Sequence, residues 1–204
     1  MKITHFIISP LILLSFVTVA MAQSETTAIL KDSARQKDAY RFTVENSVIN
    51  KALWQQPYRY EDKNLKTLSV RIVVRRVSAK KEALDFNSFT LLDESKKLRI
   101  RPSGVYYPKR DKKKYLKSKP VNDNYNDFKD SAVEGYANFE AKTFKVNILG
   151  LKKKNIVPTV KSLKKLTLKA KSAVYYLDFP VQEEFSYGKI YYQNKPIGFA
   201  AVKN

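Results

Sequence analysis

Leu68-Ser69-Val70-Arg71-Ile72-Val73-Val74-Arg75-Arg76-Val77 decides the fold class, because its apolar residues recur at every second position: Val70, Ile72 and Val74 on one side, Arg71, Val73 and Arg75 on the other. A period of two marks a half-buried strand, whose successive side chains point to opposite faces of a sheet. The same alternation continues along the chain. Phe144, Val146 and Ile148 alternate with Lys145 and Asn147, and Leu166, Leu168 and Ala170 alternate with Thr167, Lys169 and Lys171. Tyr175, Leu177, Phe179 and Val181 make another apolar face. Tyr187 to Gln193, joined through Asn194-Lys195-Pro196 to Ile197 to Val202, has the pattern of a hairpin. Shorter strands are predicted at Tyr40 to Asn50, Phe89 to Leu92, Leu98 to Arg101 and Gly135 to Glu140. Only Thr27 to Ala39 has a helical composition, and a frayed N-terminal extension would share it. Many short strands separated by turns predict an all-β chain built as an antiparallel β-sandwich, with closure into a barrel as the competing architecture.

One segment breaks the pattern. Between Pro108 and Asp130 apolar residues are sparse and charge is polarised, with Lys109, Arg110, Lys112, Lys113, Lys114, Lys117 and Lys119 preceding Asp123, Asp127 and Asp130. This reads as a long charged inter-strand connection, mobile and partly self-neutralising.

The N-terminus carries an export signal. Lys2 precedes an apolar run from Ile7 to Val19, and Ala20-Met21-Ala22 has the small-x-small form that a signal peptidase recognises, so residues 1–22 are predicted to be removed. The run is short for a bilayer span, and no later segment approaches the required length of about 20 apolar residues. An uncleaved anchor is the alternative. The expected organisation is a signal peptide at 1–22, a flexible or helical extension at 23–38, and a single domain at 39–204. The expected destination is the periplasm or the exterior, with no transmembrane segment after cleavage. Without cysteine the chain has no thiol for a lipid anchor and no disulfide. Loss of residues 1–22 leaves 38 basic against 19 acidic residues, a formal charge of +19. An excess of that size favours anionic partners.

Composition excludes several chemistries. The only histidine, His5, lies in the signal peptide, so the remaining chain cannot assemble a Ser-His-Asp or Cys-His site or the usual zinc and copper sites. Its 5 glycines form neither a Walker loop nor a dinucleotide fingerprint, and no cofactor is expected. Glu183-Glu184 is the most evident carboxylate pair, but neighbours in a turn do not make a glycosidase site. The run Asn122-Asp123-Asn124-Tyr125-Asn126-Asp127 lacks the glycine and the glutamate of a calcium loop. No metal site and no enzymatic activity are predicted.

The strongest positive feature runs from Ala141 to Leu177, a stretch rich in lysine and free of Asp and Glu. Its candidate binding residues are Lys152, Lys153, Lys154, Lys161, Lys164, Lys165, Lys169 and Lys171. Lysine rather than arginine points to diffuse attraction toward phosphate-rich or carboxylate-rich polymers. The competing reading is that lysine is this protein's general surface residue, offset by carboxylates from elsewhere in the fold. Trp54, with Tyr58 and Tyr60 nearby, is the second candidate, a stacking platform if exposed and a cover for one end of the core if buried.

The alternating strand Leu68 to Val77, followed by Phe86 to Leu92 and Lys97 to Arg101, resembles the opening strands of small immunoglobulin-like domains of unknown function in bacterial exported proteins. Gly135-Tyr136-Ala137-Asn138-Phe139-Glu140 resembles a later strand of that group. The likeness covers about half of the chain beyond residue 22. It departs from the group at Arg75-Arg76, where asparagine is frequent, and in the long charged connection. The resemblance implies a two-sheet immunoglobulin-like sandwich with a binding or structural role, and it brings no catalytic residues. The sequence thus predicts an exported, non-catalytic binding module that contacts an anionic envelope or extracellular partner through lysine. The alternatives are an assembly partner of another exported protein through a sheet edge, and a carbohydrate-binding module at Trp54.

Overall fold

In a computed structural model of the chain, residues 39–50, 56–79, 82–109, 112–121, 133, 135–146 and 159–202 are described. Lys37–Asn204 forms one compact unit. Among the described residues the regular structure is strand, apart from a single 3₁₀ turn at Phe86–Ser88 capped by the Asp85 side chain. None of the described helical structure is long and apolar enough to cross a membrane.

The strands, in chain order, are β1 (Tyr40–Asn50), β2 (Tyr58–Tyr60), β3 (Lys66–Arg76), β4 (Phe89–Asp93), β5 (Leu98–Ile100), β6 (Gly104–Lys109), β7 (Lys112–Tyr115), β8 (Ser118–Pro120), β9 (Ala137–Phe139), β10 (Thr143–Lys145), β11 (Lys161–Leu163), β12 (Ser172–Val181), β13 (Tyr187–Tyr192) and β14 (Lys195–Ala201). They form two five-stranded sheets, ordered β1-β3-β12-β6-β7 and β14-β13-β4-β5-β9, and two small two-stranded sheets, β10-β2 and β11-β8. Pairing is antiparallel except between β5 and β9, which run parallel with Leu98 opposite Ala137. The two large sheets remain separate hydrogen-bonded ladders rather than one closed barrel.

The alternation at Leu68 to Val74 does what its period requires. Leu68, Val70, Ile72 and Val74 of β3 and Tyr175, Leu177, Phe179 and Val181 of β12 are buried in one core with Phe89 and Leu91 of β4, Ile100 of β5 and Ile190 of β13. Burying each large apolar side chain contributes about 1.5–3 kcal/mol relative to exposure. Aromatic rings tie the sheets together: Phe42 of β1 meets Phe89 edge-on at 5.3 Å and Tyr192 at 4.6 Å, while Phe86 meets Tyr175 at 5.0 Å. At one margin the sheets are close enough for Ser47 Oγ to donate to the Ala201 carbonyl at 2.5 Å.

The turns follow side-chain chemistry. Asp93 ends β4 by accepting hydrogen bonds at Oδ1 from the Ser95 and Lys96 amides, and Lys97 takes a φ of 52° to reverse the chain into β5. The predicted C-terminal hairpin forms, with its reversal at Gln193 and Asn194 (φ 48° and 65°) rather than across Asn194-Lys195-Pro196. Positive φ at both central residues is what a twisted two-residue hairpin loop demands.

Two expectations need correction. The first part of the segment from Pro108 is strand: β6 and β7 pair, with Tyr106 opposite Tyr115 and Lys109 opposite Lys112, and β8 follows, while residues 110–111 and 122–130 of the expected connection lie outside the described residues. Tyrosines and lysine stems supply the apolar cover that the segment otherwise lacks, Lys113 Nζ lying 5.0 Å from the Tyr106 ring and Lys114 Nζ 6.0 Å from that of Tyr107. Leu166 to Lys171 alternates yet is no strand. Leu166 makes a single bridge to Leu84, after which the Leu168 and Lys171 carbonyls accept from the side chain and amide of Arg76. Among the described residues no ladder continues beyond that bridge, so the segment bends.

Gly188 lies near the start of β13 where the neighbouring strand leaves no room, since an added Cβ would lie 2.5 Å from the Leu92 carbonyl oxygen. Gly188→Ala is therefore expected to lower stability by about 2 kcal/mol, about 4–8 °C in Tm. A thermal melt unchanged from the parent would contradict this packing.

Candidate functional site

The face of β3 and β12 turned away from the core is also covered at one end, by β2 and β7. At its centre is Asp178 of β12, only 1% exposed. Its Oδ2 accepts from Tyr58 Oη at 3.1 Å and Tyr115 Oη at 2.8 Å, and its Oδ1 accepts from Ser69 Oγ at 2.5 Å. The Asp178 carbonyl accepts from the Ser103 amide at 2.8 Å. Around it, Thr67 Oγ1 and Ser103 Oγ donate to Tyr60 Oη, and Gln56 Nε2 donates to Thr67 Oγ1. Gly104 lets Tyr58 approach, because an added Cβ would lie 2.7 Å from the phenol oxygen. Burial pushes the Asp178 carboxyl up to about 6, although the three hydroxyl donors and Lys113 pull the other way. Burial next to the same carboxylate holds Tyr58, Tyr60, Tyr106 and Tyr115 well above the ordinary phenol range.

Tyr58 and Tyr115 also form one wall of a cleft of about 440 Å³, whose other lining includes Pro57, Gly104, Leu116, Val146 and Leu163 together with Lys117, Lys145 and Lys161. Lys161 sits over the Tyr58 ring, Nζ 5.1 Å from its centre. Burial, with Lys145 adding repulsion, brings its ammonium down to about 8.

The strand pairing gathers lysines from two separate parts of the sequence. In the β8-β11 pair Ser162 faces Lys119 and Leu163 faces Ser118, and the Lys164 amide donates to the Lys117 carbonyl at 3.1 Å. In the β10-β2 pair Lys145 faces Tyr58. Among the described residues no carboxylate lies within 4 Å of the ammonium of Lys117, Lys119, Lys145, Lys161 or Lys164.

The candidate residues divide accordingly. Lys161 lies in the cleft, and Lys164 lies beside Lys117 at its rim. Lys165 is paired with Asp85 at 2.9 Å, and burial of Asp85 is outweighed by hydrogen bonds from Lys165 and Asn87, which hold that carboxyl below its ordinary range. Lys169 and Lys171 are exposed beside Arg75 and Arg76 at the far end of β3, seven residues or about 23 Å from Ser69. Lys152, Lys153, Lys154 and Trp54 lie outside the described residues. Tyr58 and Tyr60 are buried, so they cover the sheet and offer no stacking platform.

Sequence reasoning left Lys117, Lys119, Tyr115 and Asp178 out of the site. The available signal was the mirrored basic composition of 109–119 and 161–171, which an antiparallel pairing brings side by side. Among the described residues no group of three or more His, Cys, Asp or Glu could hold a metal ion. Comparison with protein-family models, curated proteins and solved structures finds no match to this chain.

In the unfolded chain Asp178 should titrate near 4, so the folded protein holds the extra proton between about pH 4 and 6. Stability from this group is present below pH 4 and is lost as pH rises through 6, a change on the order of 3 kcal/mol. Asp178→Asn should remove that slope from urea unfolding curves collected between pH 4 and 7. Identical slopes in the two proteins would mean that the carboxyl is not buried as described.

Proposed function

We propose that this protein is an exported, non-catalytic binding module of the immunoglobulin-like sandwich type, which holds an anionic polymer through the lysines of β8, β10 and β11. The observation that carries this reading is the β8-β11 pairing. It brings Lys117 and Lys119 alongside Lys161 and Lys164 with no described carboxylate within 4 Å, although Lys119 faces Ser162 and Lys161 faces Pro120, so these two lie on opposite faces of the pair. The repulsion that an anionic partner would offset is that of Lys145 on Lys161 in the cleft. A second exposed basic group, Lys169 and Lys171 beside Arg75 and Arg76, extends the positive surface, which suits a chain-like ligand better than a small ion.

The sheet margins argue against assembly by strand addition. Exposed Lys112 and Lys114 occupy β7, β9 has only three residues, and β1 lies against β14. Lysine on an edge and short edge strands both discourage further pairing. Two large sheets sharing one core support the sandwich part of this reading.

The test is binding of the chain from Gln23 to a soluble acidic glycan at 50 and 200 mM salt. With about four ammonium contacts, affinity should fall on the order of a hundredfold across that range through counterion release. Replacing Lys117, Lys119 and Lys164 together by Gln should weaken binding and flatten the salt dependence, leaving the melting temperature unchanged or raised. Equal binding by both proteins, or none by either, would reduce these lysines to a solubilising surface.

A further inference from the structure

Within the basic surface, the cleft beside Tyr58 has a chemistry that the rest of the surface lacks. Its volume of about 440 Å³ falls in the range of small-molecule sites. Its lining is mixed: Lys117, Lys145 and Lys161 bring positive charge, while Pro57, Leu116 and Val146 bring apolar surface. A bare phosphate would leave the apolar walls facing water, and an acyl chain would bury ammonium groups without a counter-charge. The occupant that satisfies both sides has a negative group on a compact body with polar edges and C–H faces. A sugar carrying a carboxylate or phosphate meets that description.

We propose that the cleft binds one acidic sugar residue at a time, its anionic group against Lys161, Lys145 and Lys117 and its ring against Pro57, Leu116 and Val146. This rests on the polymer-binding reading and names the unit that the polymer presents. The wall behind the ligand is rigid, because Tyr58 is buried and held by Asp178, while Gly104 keeps the ring at its depth. A preformed wall lowers the ordering cost of binding a small ligand.

The charged groups around Lys161 are Lys145 and Lys117 in the cleft, the Arg101–Glu140 pair on its other side (2.6 Å), and Asp178 behind Tyr58. A desolvated position, with Lys145 adding repulsion, brings the Lys161 ammonium down to about 8. Binding of an anion in the cleft therefore weakens between pH 7 and 9, by about tenfold if Lys161 is the main contact.

Titration calorimetry with glucuronic acid, glucose 6-phosphate and glucose, beside the acidic glycan polymer, tests the proposal on the chain from Gln23. The two acids should bind at least tenfold more tightly than glucose, and their relative affinities distinguish carboxylate from phosphate as the natural group. Lys161→Gln should cost about tenfold for both acids and abolish the loss between pH 7 and 9. Lys169→Gln, remote from the cleft, should change neither. A matching thermal melt for Lys161→Gln excludes misfolding, and Lys145→Gln, an exposed position, provides a second variant. Polymer binding without binding of either acid would overturn the cleft assignment and leave the surface reading standing. Acids that bind beside a polymer that does not would keep the cleft and remove the polymer. Glucose binding as tightly as the acids would overturn the role of the lysines.

Discussion

A carboxylate can be buried only where enough donors replace its water, and Asp178 finds them on three separate elements. Ser69 comes from the adjacent strand β3, Tyr58 from β2, and Tyr115 from the end of the β6-β7 hairpin. The two phenols are 120 and 63 residues away in sequence, so the acid works as a cross-link that draws distant segments onto the outer face of the central strands. Hydrogen bonds to an ionised group contribute about 1.5–3 kcal/mol each, which opposes the desolvation that raises the Asp178 carboxyl. The cleft inherits its rigid wall from this arrangement, since the ring beneath Lys161 is the ring whose hydroxyl Asp178 holds.

A second constraint acts in the opposite direction. The strands that complete this end of the fold, β8, β10 and β11, each carry one lysine, Lys119, Lys145 and Lys161, and Lys145 lies close enough to Lys161 to repel it. Apolar anchors hold them nonetheless. Leu163 belongs to the main core, Val146 is buried, and the Asn87 side chain donates to the Leu163 carbonyl while accepting from its amide. Backbone and core contacts thus hold Lys161 in a partly desolvated position beside Lys145, an arrangement that an anion in the cleft would relieve. Any anion that binds only the folded form will stabilise it in proportion to its concentration over its dissociation constant.

Strands whose faces differ in polarity were legible from sequence. Leu68 to Val77 and Tyr175 to Val181 alternate because one side meets the core, and both occur as β3 and β12. Asp178 stayed hidden because its face is covered by residues far away in the chain, a relation that local periodicity does not carry. The β6-β7 hairpin was missed because its apolar cover comes from tyrosines and lysine stems instead of aliphatic side chains. At Leu166 to Lys171 alternation misled, since a strand also needs a neighbouring ladder, and here the Leu84 amide takes up the Leu166 carbonyl while Arg76 takes up those of Leu168 and Lys171. The parallel pairing of β5 with β9 had no local signal, because a period of two is the same in either direction. Lysine content was visible as a stretch from 141 to 177, whereas the structure redistributes it. Lys161 and Lys164 join Lys117 and Lys119, Lys165 is engaged by Asp85, and Lys169 and Lys171 lie at the other end of β3.

The most direct measurement is amide chemical-shift mapping of the isotopically labelled chain from Gln23 during titration with an acidic glycan. If the lysine-bearing strands form the binding surface, the largest shifts will cluster at residues 115–121, 143–146 and 159–165 and will saturate together. Shifts spread evenly over every lysine-rich segment, including the surroundings of Lys63, Lys66 and Lys97, would contradict a defined site and leave only the general attraction of a basic protein for a polyanion.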